Sequence, residues 1–61
     1  MTMPSLAERA SSARAEAERE EQQALAVEAE DPVRASVHRQ LAAFWRKQEA
    51  WYKERIAGGE E

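Results

Sequence analysis

Large apolar residues stand at 33, 37, 41, 44, 45, 51, 52 and 56. At 100° per residue these positions share a sector of roughly 140°, the width of a helix face that packs against something. The spacing predicts one amphipathic helix carrying Val33, Val37, Leu41, Phe44, Trp45, Trp51, Tyr52 and Ile56. Earlier in the chain, Leu6, Ala10, Ala13, Ala17, Ala24 and Val27 follow steps of four and three, interrupted at Glu20. That is a second helical stripe, thin because alanine favours helix while burying little area.

Boundary signals agree with two helices. Ser5 and Glu8 match a capping box, in which the serine oxygen accepts from the third helical N–H. No Gly or Pro interrupts the chain from Leu6 to Ala29, so an acidic, alanine-rich helical segment is expected over residues 5–30, after a flexible stretch over 1–4. Asp31 suits a cap, and Pro32 suits the first helical position while disfavouring helical geometry before it. The amphipathic segment then spans 31–57. Gly58 is expected to close it in the left-handed conformation, with Gly59 releasing a flexible acidic tail over 58–61.

Charge divides at the same place. Residues 1–31 carry three arginines against eight carboxylates, net −5, and residues 32–61 carry six cations against four carboxylates, net +2. Two helices of opposite sign and similar length, joined by a tight turn, favour folding back on each other. The fold class is therefore all-α: an antiparallel two-helix hairpin, or two helices extended on a partner, with self-association into a four-helix bundle as a further form. At 61 residues the chain supports one small domain. It has no cysteine to staple it, and alanine makes up much of its 43% hydrophobic content.

Candidate chemistry narrows the function by exclusion. His38 has no second metal ligand three or four residues away, so no metal or cofactor is expected. Glu16, Glu18, Glu20 and Glu21 form a charge run on a helix in a chain too small for a pocket, which speaks against an enzyme. The opening MTMPSLAERA lacks a secretory pattern, no window approaches a membrane span, and the expected location is the cytoplasm of a bacterium or phage host.

The segment FWRKQEAWYKER gathers all four aromatic residues. Rings interleaved with cations also occur in single-strand binders, and a ring-bearing helix with a basic back resembles a membrane-surface helix. Both fit poorly here: Arg39, Arg46 and Lys53 lie away from the rings, and the chain is acidic overall. The expected role is a non-enzymatic interaction module, an accessory subunit, assembly factor or regulator. Its partner is a larger protein or a copy of itself. The contact residues expected are Leu41, Phe44, Trp45, Trp51, Tyr52, Arg55 and Ile56, with Arg55 and Lys47 placed for cation–π contact with Trp51. A nucleic-acid-associated regulator using the basic face is the alternative.

Overall fold

A computed structural model describes residues 2–59, which form two α-helices, α1 over Leu6–Val27 and α2 over Pro32–Ala57. They fold back as an antiparallel hairpin, a ribbon of about 44 × 24 × 11 Å that is one helix thick. Met1, Glu60 and Glu61 lie outside the described residues, so the flexibility expected of 1–4 and 58–61 falls partly beyond them.

Local signals set the ends. Ser5 accepts a 3.1 Å hydrogen bond from the Glu8 N–H, satisfying one of the donors that a helix start leaves open. α1 closes at Val27, a little before the end its composition suggests. The Val27 carbonyl takes the N–H groups of Glu30 and Asp31, at 3.1 and 2.7 Å, and so turns the chain. Asp31 then caps α2 by accepting from the Arg34 N–H at 3.0 Å, with Pro32 in the first turn. The far end departs from expectation in one respect. Gly58 keeps right-handed geometry at φ −76°, and Gly59 takes the left-handed conformation at φ 81°. Gly58 is held right-handed because its N–H still reaches the Glu54 carbonyl at 2.9 Å, so the reversal moves one residue on.

The seam between the helices is built of small residues. α1 buries Ala10, Ala13, Ala17 and Ala24, as its stripe predicts, and α2 meets them with Ala35, Ala42 and Glu49, spaced seven apart. Ala17 and Ala35 are fully inaccessible. Small side chains on both surfaces let two backbones approach closely, and dispersion contacts accumulate along the seam. The aromatic sector of α2 is therefore not the buried face of the hairpin. Alanines occupy the closest line of approach, and the sector lies to one side of it.

Candidate docking face on the second helix

The eight apolar residues of α2 separate into two groups. Trp45, Tyr52 and Ile56 turn toward α1 and are half-buried. Val33, Val37, Leu41, Phe44 and Trp51 face solvent, with 42% to 76% of each accessible. Trp45 and Tyr52 line a surface cleft of about 280 Å³ with Pro4, Arg9, Ala13 and Glu16 of the N-terminal part. Ile56 lies at a second cleft with Ala10, Glu49 and Lys53.

Each exposed ring rests on a half-buried neighbour. Phe44 meets Trp45 edge to face, with centroids 5.1 Å apart and planes at 71°, and Trp51 meets Tyr52 at 5.1 Å and 72°. The Arg55 guanidinium lies 4.5 Å from the Trp51 ring centroid. These contacts restrict the rotamers of Phe44 and Trp51. Gln48, within the stripe, is half-buried. All seven expected contact residues lie on this side of α2. Leu41, Phe44 and Trp51 are its open surface, Trp45, Tyr52 and Ile56 its root at the seam, and Arg55 its polar member.

The opposite flank of α2 carries Arg39, Arg46 and Lys53, each paired with a carboxylate. Arg46 donates to both oxygens of Glu21, at 2.9 and 3.2 Å, and to Glu49 at 3.2 Å. Lys53 Nζ lies 3.1 Å from the other Glu49 oxygen, the pairing expected from their spacing. Arg39 pairs with Glu28. Glu49 is the one buried polar residue of the described core, 7% accessible, and its carboxylate is shared by two cations. The hydrogen bond from Lys53 holds its pKa below the ordinary carboxylate range, reinforced by Arg46 and opposed by burial. Arg46 is pushed further up, mainly by its hydrogen bond to Glu21.

His38 finds the carboxylate that its own helix does not offer. Its Nδ1 donates to Glu20 Oε2 at 2.5 Å. Glu20, the interruption in the α1 stripe, is thus a partner across the seam rather than a gap. Chain-local spacing cannot reveal a contact between residues eighteen apart. Ala35, Ala42 and Glu49 repeat every seven residues, but so do Val37, Phe44 and Trp51, and Arg39, Arg46 and Lys53, so the repeat alone does not single out the seam.

Among the described residues no group of three His, Asp or Glu side chains is placed to hold a metal ion. No described helix is long and apolar enough to cross a membrane. Comparison with protein-family models, with curated proteins and with solved structures finds no match.

Proposed function

We propose that the chain is a small non-enzymatic protein–protein interaction module, an accessory subunit, assembly factor or regulator, that docks through the exposed apolar stripe of α2. One observation carries this: after the hairpin has formed, Val33, Val37, Leu41, Phe44 and Trp51 still face water along one line. Single exposed apolar residues are ordinary, but five of them on one side of a helix, two of them rings, mark a contact surface. Trp51, braced by Tyr52 and Arg55, has the size and rigidity of an interface anchor.

The charge pattern favours this over nucleic-acid binding. The cations of the other flank, Arg39, Arg46 and Lys53, are occupied by Glu28, Glu21 and Glu49. A phosphate would have to displace those carboxylates while approaching an acidic helix.

The test is affinity capture from the native cell with three tagged forms of the full chain: unchanged, Phe44→Ala with Trp51→Ala, and Arg39→Ala. The unchanged and Arg39→Ala forms are expected to retain the same protein. The double variant is expected to lose it, each ring contributing about thirtyfold or more in affinity. Equal retention by the double variant, together with loss by Arg39→Ala, would place function on the opposite face.

A further inference from the structure

Resting on the docking role just assigned to the stripe, we infer that its occupant is a second copy of this chain. The two α2 helices lie antiparallel about a two-fold axis near residue 46.

Area is the first argument. A compact monomer of 6.9 kDa exposes about 4,000 Å². This chain exposes 4701 Å², roughly 700 Å² more. A standard interface takes about 800 Å² from each partner, so one docking event of ordinary size removes the excess.

Spacing is the second argument. Val37, Leu41, Phe44, Gln48, Trp51 and Arg55 alternate steps of four and three, a coiled-coil seam separate from the one that meets α1. It runs for about 27 Å at 1.5 Å per residue. Such a ridge packs against another helix of matching repeat and length, and α2 itself has both.

Side-chain size fixes the direction. In the antiparallel register, Phe44 meets the second copy's Gln48, Leu41 meets Trp51, and Val37 meets Arg55. Every large group then faces a smaller one, which fills space without overpacking. A parallel pair would set Trp51 on Trp51 and Arg55 on Arg55. The antiparallel pair brings like charges together at Lys47, which lies on the outer flank near the axis. Salt screens such an exposed pair, so association is expected to hold or tighten as ionic strength rises.

The test uses the full chain in sedimentation equilibrium from about ten micromolar to about one millimolar, where weak interfaces titrate. The weight-average mass is expected to climb from 6.9 kDa toward twice that value and stop there. Trp51→Ala removes the ring from both copies and is expected to move the transition by about a thousandfold, out of this concentration range. Orientation is read by disulfide formation, since the chain has no native cysteine. Val37→Cys mixed with Arg55→Cys should cross-link, and neither should do so alone. A mass fixed at one copy throughout overturns the second copy as occupant and leaves docking on a different protein to the capture experiment. Dimerisation that Trp51→Ala leaves untouched overturns the second copy as the occupant of the stripe, because the copies would then meet through another face. Cross-linking within each single-cysteine pool, or growth past two copies, overturns the antiparallel pair.

Discussion

Glu49 is the residue where charge and packing meet. It stands in a line with Ala35 and Ala42, yet it carries a carboxylate into the seam and keeps it ionised with Lys53 on one oxygen and Arg46 on the other. A carboxyl whose folded pKa is lowered binds fewer protons folded than unfolded, so its contribution is complete above the unfolded value near 4.5. That contribution is lost as pH falls from there through the folded pKa. Thermal melts followed by circular dichroism between neutral pH and about pH 3 should show the midpoint falling below about pH 4.5. The fall should be shallower in Glu49→Gln, which has no proton to take up. Equal acid sensitivity in the two chains would remove Glu49 from the account. The His38–Glu20 pair makes the same point about position, because a half-buried polar group is retained where a partner on the other helix satisfies it.

At the scale of the elements, the two helices divide the labour. α1 is close to an alanine rod with an acidic surface, and α2 presents alanine to α1 and rings to solvent. The hairpin is therefore sensitive to volume at the seam. Ala17→Leu inserts three carbons where no accessible space exists and should destabilise the hairpin by about 1–3 kcal/mol through overpacking. Ala43→Leu, on an exposed position of α2, should stay within about 0.5 kcal/mol of the unchanged chain. Urea midpoints measured on both variants check this. A harmless leucine at position 17 would mean that the helices do not meet along the alanine line.

For the whole molecule, a single-layer ribbon would link stability to the association proposed above. Small residues at the seam give close contact but little apolar area, so much of the burial available to the chain is held in the stripe. A species that binds the folded form raises its melting temperature by mass action, and a second copy would do so with the logarithm of its own concentration. Raising the concentration about a hundredfold should lift the helical melting midpoint by several degrees. It should lift it little in the Phe44→Ala, Trp51→Ala chain. A high midpoint independent of concentration in the unchanged chain would show that the hairpin is sufficient alone.

The sequence by itself determined the elements and their order. Ser5, Asp31, Pro32 and the terminal glycines act through contacts a few residues apart, and the apolar repeats report which faces of each helix are not polar. These are local effects, and local spacing suffices to read them. Periodicity assigned Leu41, Phe44, Trp45, Trp51, Tyr52, Arg55 and Ile56 to one side of α2, but it could not say what that side meets, because a 140° sector fits an internal core and an external contact equally well. Only the tertiary structure decided the division. It placed Ala35, Ala42 and Glu49 on the line of closest approach, drew Arg46 to a carboxylate of α1 and Arg39 to Glu28 just past its end, and turned Phe44 and Trp51 to solvent. The physical reason is that backbones approach most closely where both surfaces are small and opposite charges flank them. Such a match belongs to a pair of helices, and neither helix states it alone.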